Sequence, residues 1–457
     1  MEQKHHPAQT SPETRRSFLK KTAAAAAATG AAGLFTTPVY GQNQAPSANV
    51  KGANEKVVIG FVGLGGQGSF HLRNILAMKD EKNLAVGGVC DLWKKRREAA
   101  AALAGGVPAY EDYREMLEKQ KDIDAIICAT VDHWHAQVSI DSLKAGKHVY
   151  CEKPMTRYLD EAFAVADTVK ETGLIYTVGA QACSDAKWLK AAELAREGMI
   201  GKLVLGQASY MRNNPKGEWN YRIDPAFTKD GIVWDHWLGP NIKRRVDFNP
   251  DHFFRWRKYY PYCAGVLGDL FPHRLHPLLM ASGNPEFPVR VTAIGTKAIH
   301  TDKNTPGTPE RDVPECLTLL AEFPSGYSVM VCSSTVNEYG LEDVVRGHIG
   351  NLLIGGSSVK LRIERPFSDE YDPEDYTNLR PGESVAVNEA NWIECIRTGK
   401  QPNANIDLAI RTQTVISLGE MSDRLGIACH FDPETRTIHD GCGRKLEPLS
   451  YGKTELS

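Results

Sequence analysis

The sequence has no surplus of charge of either sign. Its 54 Lys and Arg residues are balanced by 56 Asp and Glu residues, which gives a formal net charge of −2 at pH 7. A nucleic-acid-binding protein normally carries a concentrated basic surplus, so this balance argues against nucleic acid as a partner. Cysteine is sparse as well, since 10 cysteines in 457 residues are too dilute for a disulfide scaffold.

The sequence also lacks a long hydrophobic run. Its alanine-rich apolar stretch, residues 22–35, falls short of the roughly 20 residues that cross a bilayer, so no stable membrane span is expected after processing. The hydrophobic fraction of 42% and the charged fraction of 24% are those of an ordinary globular protein. At roughly 100–200 residues per domain, the length predicts two or three domains.

The first 41 residues are predicted to be an export signal. The segment RRSFLK at residues 15–20 precedes the alanine-rich stretch, and a basic segment before a short apolar one is typical of secretory signals. The arrangement resembles the twin-arginine (Tat) signal of bacteria, which implies passage through the Tat machinery into the periplasm. Residues 42–54 are expected to form a polar linker. The alternative is an alanine-rich helix after a chance pair of arginines.

The Tat route carries proteins that are already folded, which suits a protein that acquires a cofactor before export. Cys90, Cys128 and Cys151 lie in or beside predicted core strands. Because folding would take place in a reducing compartment, we expect these residues to be free, buried thiols.

A dinucleotide-binding fold is predicted for residues 55–180. A buried strand at residues 56–62 leads directly into the motif G-x-G-x-x-G at residues 63–68. In this motif the glycines permit a tight turn, close approach of a pyrophosphate and close helix packing. The alternative is a glycine-rich turn without a ligand. The candidate cofactor residues here are Gly63, Gly65, Gly66, Gln67 and Gly68.

The second predicted strand, residues 84–90, ends at Asp91. Asp91 follows the glycines at about the 20-residue spacing expected for the carboxylate that binds the adenosine ribose. A carboxylate there favours NAD, because it would repel the 2′-phosphate of NADP. The basic run KKRR at residues 94–97 could soften this preference, although such runs are more often the solvated face of a helix. NAD is therefore the expected cofactor, and NADP is the alternative.

Two motifs resemble those of the Gfo/Idh/MocA family of nicotinamide-dependent oxidoreductases, which act mainly on sugars and polyols. They are ATVDHWH at residues 129–135 and AGKHVYCEKP at residues 145–154. The resemblance implies a Rossmann domain followed, over residues 181–457, by an α+β domain with a large, open, mostly antiparallel sheet. Because that sheet commonly supports oligomers in the family, a homo-oligomer (dimer or tetramer) is expected.

The resemblance assigns catalytic roles to Lys153, Asp269 and His273. Lys153 lies at the sheet edge where open α/β folds bind ligands, and its ammonium can stabilise a developing alkoxide. Asp269 and His273 match the family's D-x-x-x-H segment; residues i and i+4 share one helix face. Pro272 is tolerable there only if the helix begins near residue 268 or 269.

The helix N-terminus would keep His273 neutral, as a general base requires. The alternatives are a helix cap with a packed histidine, and a metal site formed with His276. The latter lacks familiar ligand spacing, so no metal is expected.

Further residues complete the predicted site. Thr130, His135 and Glu152 are expected to contact the cofactor together with Lys153. Residues 219–262 are rich in aromatic side chains, whose flat rings suit a pyranose but could equally form a small core of their own. The expected substrate-binding residues are Lys153, Tyr210, Arg212, Trp237, Arg255, His273 and His276.

These features predict an exported enzyme that transfers a hydride between a ring hydroxyl of a sugar or glycoside and a tightly bound nicotinamide cofactor, forming a keto-sugar. One alternative is an NAD-dependent glycoside hydrolase or lyase that oxidises the ring transiently. The other is a periplasmic sugar-binding protein without catalysis.

Overall fold

The computed structural model describes residues 55–240 and 246–449. The predicted export signal and linker, residues 1–54, lie outside the described residues. Among the helices of the two described ranges, none combines the length and apolar character needed to cross a bilayer.

The first sheet is parallel and has six strands in the order β3-β2-β1-β4-β5-β6. Its strands are β1 Val57–Val62, β2 Leu84–Cys90, β3 Ala109–Tyr110, β4 Ala125–Cys128, β5 His148–Cys151 and β6 Tyr176–Val178. Its helices are α1 Gly66–Met78, α2 Lys94–Leu103, α3 Tyr113–Lys119, α4 Asp132–Lys144 and α5 Leu159–Thr172. The strand order reverses between β1 and β4, which confirms the predicted doubly wound fold and creates the crevice where such folds bind dinucleotides.

The central strands are uninterrupted apolar runs because both of their faces are buried. Every residue of β4 and of β5 is buried, as expected for a parallel sheet with helices on both sides. Cys90, Cys128 and Cys151 are free, buried thiols in these strands, which confirms that prediction. Helix α4 begins at Asp132, and an acidic first turn stabilises the helix N-terminus.

The second sheet is large and mixed. Its order is β15-β14-β13-β12-β7-β10-β9-β8-β16-β17-β18, with β11 paired to β7. The neighbours are antiparallel except for β7 and β10, which run parallel. Its strands are β7 Leu203–Asn213, β8 Arg290–Thr296, β9 Cys316–Glu322, β10 Ser328–Ser334, β11 Val336–Asn337, β12 Asp343–Gly347, β13 Gly350–Gly355, β14 Ser358–Ile363, β15 Glu374–Tyr376, β16 Cys429–Asp432, β17 Thr437–His439 and β18 Lys445–Leu446. The predicted, mostly antiparallel second sheet is therefore confirmed.

One face of this sheet is covered by helices and the other is open. The remaining helices are α6 Ala186–Arg196, α7 Trp234–Leu238, α8 Pro250–Phe254, α9 Val266–Asp269, α10 Pro272–Met280, α11 Val385–Thr398 and α12 Ile406–Leu425. Helix α12 packs on β8, where Ser422 Oγ accepts the backbone N–H of Ala293 at 2.9 Å. On the opposite face Val204, Ile294 and Leu320 are exposed.

The chain after the second sheet returns to the first. Trp392 and Ile393 of α11 share a buried cluster with Val57, Ile59 and Phe61 of β1. The core of the dinucleotide-binding fold is therefore completed by a helix far beyond residue 180, the predicted domain boundary. That boundary remains a prediction.

A buried ion pair joins the segment after β5 to α12. The Arg157 guanidinium donates to both Glu420 carboxylate oxygens, at 2.6 and 2.7 Å, and the side chains are 2% and 4% exposed. The pair Arg436–Asp167 has the same bidentate geometry, at 2.6 and 2.7 Å, but its side chains are 45% and 54% exposed.

Replacing these two arginines tests how burial changes the contribution of a bidentate ion pair to the free energy of unfolding. Arg157→Met leaves the buried Glu420 carboxylate with only the longer contact to Arg424 at 3.6 Å, so we expect the free energy of unfolding to fall by about 3 kcal/mol. Arg436→Met exposes nothing new and should cost less than about 1 kcal/mol. Urea denaturation of both variants measures the difference, and equal losses would contradict this interpretation.

Candidate functional site

A cavity of about 790 Å³ opens along the carboxyl ends of the first sheet. Its volume is typical of small-molecule and cofactor sites. Its lining contains nearly all of the predicted cofactor residues, namely Gly63, Gly65, Gly66, Gln67, Asp91, Thr130, His135, Glu152 and Lys153.

The glycine-rich loop divides into residues that pack the chain and residues that leave room for a ligand. Gly63 has a φ of 86°, and a Cβ there would lie 2.6 Å from the Ala129 carbonyl oxygen. A Cβ on Gly68 would lie 1.8 Å from the Gly63 oxygen. A Cβ on Gly66 would meet no described atom within 4 Å. No described side chain caps α1 at Gly65, so its first N–H groups suit a pyrophosphate.

Asp91 is fixed at the other side of this loop. Its Oδ2 accepts the backbone N–H of Leu64 at 2.7 Å, and its Oδ1 accepts that of Trp93 at 2.8 Å. Each carboxylate oxygen retains a lone pair for a ribose hydroxyl. The loop, the helix terminus and this carboxylate together fit an NAD molecule.

Most of the basic run after Asp91 is engaged elsewhere. Lys94 pairs with Glu98, Lys95 with Asp224 and Arg97 with Glu111. Arg96 alone of the four lines the cavity, with its guanidinium 5.3 Å from the Trp93 ring centroid. The interpretation of the run as a solvated helix face fits Lys94 and Lys95, which are 68% and 58% exposed, but not Arg97, which is 17% exposed.

The Asp269 carboxylate is the centre of a buried polar cluster. Lys153 Nζ donates to Asp269 Oδ1 at 2.7 Å and to the Asp269 carbonyl at 2.8 Å. Arg257 Nε donates to the same Oδ1 at 2.9 Å, and Trp219 Nε1 donates to Oδ2 at 2.9 Å. Burial opposes the charge, but Arg257 and Lys153 hold the pKa of Asp269 well below its ordinary value. The carboxylate is therefore ionised.

His273 lies next to this cluster as a neutral imidazole. Its ring stacks on Tyr210 with centroids 4.6 Å apart, and its Nδ1 lies 3.4 Å from Gln181 Nε2. Burial and then the Lys153 charge lower the pKa of His273 well below its ordinary value. Neutrality agrees with the prediction, but burial rather than the helix dipole is its main cause.

The helix that carries Asp269 and His273 differs from the prediction of a single start near residue 268 or 269. Asp269 ends α9, and His273 is the second residue of α10. The ladder is interrupted because Pro272 has no N–H, and the Phe271 N–H bonds to the Val266 carbonyl instead. The two side chains still lie on neighbouring turns.

His135 supports the segment that carries Lys153. Its ring is buried, with Nδ1 2.7 Å from the Pro154 carbonyl oxygen and Nε2 3.3 Å from that of Thr130. It therefore ties together the ends of the two strands that frame the cavity floor.

The aromatic segment mainly forms its own core. Trp237 stacks on Trp234 at 4.5 Å, within a buried cluster that also includes Phe253 and Trp256. Trp237 and Trp256 also line the cavity. Of the two interpretations of this segment, the small core accounts for most rings. The five rings that line the cavity remain candidates for ligand contact, namely Tyr221, Trp237, Phe253, Phe254 and Trp256.

Arg255 requires a correction. Its guanidinium donates to Asp251 Oδ1 at 2.6 Å, to Thr308 Oγ1 at 2.9 Å and to the Tyr221 carbonyl at 2.9 Å. Since these partners engage the buried group within the protein, we withdraw the assignment of Arg255 to substrate.

The other predicted substrate residues surround His273. Arg212 donates to Glu218 at 2.7 Å and lies over the Tyr210 ring. His276 is buried, with Nδ1 3.0 Å from the Pro272 carbonyl oxygen, and its Nε2 has no hydrogen-bond partner among the described residues. Burial lowers the pKa of His276 to about 4. Their roles in substrate binding remain predictions.

Residues 57–180 match a family model described as "Oxidoreductase family, NAD-binding Rossmann fold". This is the model of the Gfo/Idh/MocA family, and the match covers less than half of the chain. The resemblance in the motifs around residues 129–154 is thereby confirmed.

Three curated relatives of this chain are named as glycosidases. A glycosyl hydrolase family 109 protein of Shewanella pealeana is 23% identical over 387 residues, covering 78% of this chain and 77% of the relative. Glycosyl hydrolase family 109 protein 1 of Akkermansia muciniphila is 28% identical over 215 residues, covering 42% and 44%. An alpha-N-acetylgalactosaminidase of Shewanella oneidensis is 27% identical over 262 residues, covering 52% and 53%. In the last two cases the chain spans about half of the relative's length.

Solved structures share the fold at lower identity. Levoglucosan dehydrogenase in complex with NADH and levoglucosan superposes with a TM-score of 0.63 at 17% identity, covering 82% of this chain and 99% of that one. The aldose-aldose oxidoreductase from Caulobacter crescentus, complexed with glycerol, gives 0.61 at 18% identity, covering 82% and 100%.

Several residues of the site were missed from the sequence. Arg257 and Trp219 hold Asp269, Gln181 faces His273, and His71 contacts Glu152. Arg257 and Trp219 lie within the aromatic segment, which signalled a site but not these contacts. No spacing pattern connects the others to their partners, because they meet only through the tertiary fold.

Two glycine variants separate packing from ligand binding. Gly65→Ala adds a methyl group 3.5 Å from Arg96 Nη1, an ordinary contact. We therefore expect an unchanged Tm but at least about tenfold weaker NAD binding, since the second glycine of the motif lets the backbone approach the pyrophosphate. Gly68→Ala forces a methyl group onto the Gly63 carbonyl and should lower the Tm. Calorimetric titration and thermal unfolding check both. An unchanged Tm for Gly68→Ala, or wild-type NAD affinity for Gly65→Ala, would contradict these roles.

Proposed function

We propose that this protein is an NAD-dependent oxidoreductase that transfers a hydride between a ring hydroxyl-bearing carbon of a sugar or glycoside and a tightly held cofactor. The observation that carries the proposal is the contact between Lys153 Nζ and Asp269 Oδ1 at 2.7 Å, next to neutral His273 and at one end of the NAD-fitting cavity. The named sugar dehydrogenase and aldose oxidoreductase of the same fold support a carbohydrate substrate.

Each residue of the cluster has a distinct task. When bound, NAD supplies the hydride acceptor. Lys153 has three N–H donors and gives two of them to Asp269, so one remains for a substrate oxygen in the cavity that it lines. His273 is neutral and can accept the hydroxyl proton. Asp269 holds Lys153 in place, and Arg257 holds Asp269.

The pH dependence of sugar oxidation follows from His273. Its neutral form is active, and its pKa lies well below the ordinary 6.5, so lowering the pH through 6.5 leaves it neutral. We expect kcat/KM to lose no activity to this group between about pH 7.5 and about pH 6. This expectation would be contradicted if kcat/KM fell towards low pH with a pKa near 6.5 and this fall were absent in His273→Ala.

The activity itself is tested with the cofactor as reporter. Anaerobic incubation of the purified protein with a panel of hexoses and glycosides should produce the absorbance of bound NADH. Lys153→Met removes the donor to the substrate oxygen and should slow this signal by about 10²-fold or more. Tyr339→Phe, an exposed position, is the matched control. No signal with any sugar, or full rates in Lys153→Met, would overturn the proposal.

A second candidate function is an NAD-dependent glycoside hydrolase that oxidises the ring transiently. The names of the curated relatives favour it, among them the alpha-N-acetylgalactosaminidase of Shewanella oneidensis. Release of an aglycone without net NADH would select this function. Sugar binding without any change in the cofactor would instead select a non-catalytic sugar-binding protein.

Export to the periplasm by the Tat machinery belongs to the same proposal. It is supported by the RRSFLK segment and the apolar stretch after it. A tightly held cofactor fits export of a folded protein. A homo-oligomer is supported by the open face of the second sheet, where Val204, Ile294 and Leu320 are exposed.

A further inference from the structure

A buried ionic network beside the cavity has no part in the proposed proton and hydride transfers. His71 of α1 lies between two carboxylates: its Nε2 is 2.8 Å from Glu152 Oε1, and its Nδ1 is 2.6 Å from Glu389 Oε1 of α11. The His71 and Glu389 side chains are fully buried. Three segments distant in the sequence therefore meet at one imidazole.

Both ring nitrogens of His71 face a carboxylate oxygen, so each carries a proton as a donor. Burial opposes this charge, but the hydrogen bonds to Glu152 and Glu389 raise the pKa of His71 to about 9. Burial likewise opposes ionisation of Glu152, but His71 and then Lys153 lower the pKa of Glu152 to about 2. At neutral pH the pair is an imidazolium and a carboxylate.

The Glu152 carboxylate is held at the cavity wall by further donors. Gln67 Nε2 donates to its Oε1 at 2.9 Å, and the backbone N–H of Lys153 donates to its Oε2 at 3.1 Å. Glu152 lines the cavity directly after β5. Its negative charge is therefore fixed in position as well as in ionisation.

The strand order locates this charge relative to a dinucleotide. Asp91 follows β2, and Glu152 follows β5, on opposite sides of the switch point between β1 and β4. A dinucleotide lies across this point, so with its adenosine ribose on Asp91 its nicotinamide half extends towards Glu152. The nicotinamide ring is positively charged when oxidised and neutral when reduced, and a fixed carboxylate stabilises the charged form.

We propose that His71 is a positioning residue that keeps Glu152 ionised, and that the Glu152 carboxylate makes this site bind NAD⁺ more tightly than NADH. The inference rests on the cofactor site of the proposed function and not on the identity of the substrate. An enzyme that keeps its cofactor through export would thereby hold it in the state ready to oxidise a sugar.

Other titratable groups around the network do not replace this charge. Lys153 lines the same cavity, but its Nζ pairs with Asp269 at 2.7 Å. Burial raises the pKa of Tyr150, which faces both glutamates, so it stays neutral. His273 is neutral as well. Burial raises the pKa of Glu389, so it is the carboxylate of the network that protonates more readily.

The test measures the preference for NAD⁺ without any sugar. Full-length protein is equilibrated with mixtures of NAD⁺ and NADH, and the bound nucleotides are released by denaturation and quantified. The wild type should prefer NAD⁺ by about tenfold or more, evenly from about pH 5 to 8, because neither Glu152 nor His71 titrates there. His71→Gln should reduce the preference by about tenfold. Its remaining preference should fall further as the pH falls, because burial then favours protonated Glu152.

A double-variant cycle shows whether His71 acts through Glu152. Glu152→Gln should reduce the preference at least as much as His71→Gln, and the double variant should lose no more than Glu152→Gln alone. Glu389→Gln should give a smaller change in the same direction, and this variant takes the place of His71→Gln in the test if His71→Gln does not fold. His430→Gln on β16 is the control for a histidine outside the network.

The inference would be overturned if the His71→Gln and Glu152→Gln substitutions had additive effects on the preference for NAD⁺. An unchanged preference in His71→Gln at every pH would overturn it as well. If the wild type bound neither NAD⁺ nor NADH, that result would instead contradict the cofactor site itself. The two failures are therefore distinguishable.

Discussion

The ion pair between Lys153 and Asp269 is the contact on which the site depends. Lys153 is carried by the edge of the first sheet, whereas Asp269 ends a helix of the second part of the chain. An ionised carboxylate could not remain buried there without donors, and Lys153, Arg257 and Trp219 supply them. The pair thus fixes the position of the two parts relative to the cavity and holds the lysine in place for its proposed role.

The other charged groups along the cavity are likewise held by hydrogen-bond donors of the protein. At one end Asp91 is held by backbone N–H groups, and at the other Glu152 is held by His71 and Gln67. Between them the uncapped start of α1 offers N–H groups to a pyrophosphate. Each ionised group has donors that belong to the protein, so the site is preorganised for a dinucleotide.

The sequence predicted the parts of this arrangement that rest on local pattern. The strand before Gly63, the glycine loop and the position of Asp91 follow from periodicity and spacing, and the motif resemblance located Lys153, Asp269 and His273. Contacts between distant segments were not predictable: Arg257 on Asp269, Glu389 on His71 and the packing of α11 on β1 arise only in the fold. Arg255 shows the converse error, because a local pattern of arginine and aromatics did not reveal its buried partner Asp251.

Transfer of isotope from substrate to cofactor tests the central claim most directly. A sugar that produces a signal would be prepared with deuterium on its ring carbons and incubated with the protein, and the nicotinamide released by denaturation would be analysed by mass spectrometry. We predict one deuterium on the cofactor, delivered directly from carbon. An unlabelled cofactor after sugar has bound and reacted would contradict hydride transfer at this site.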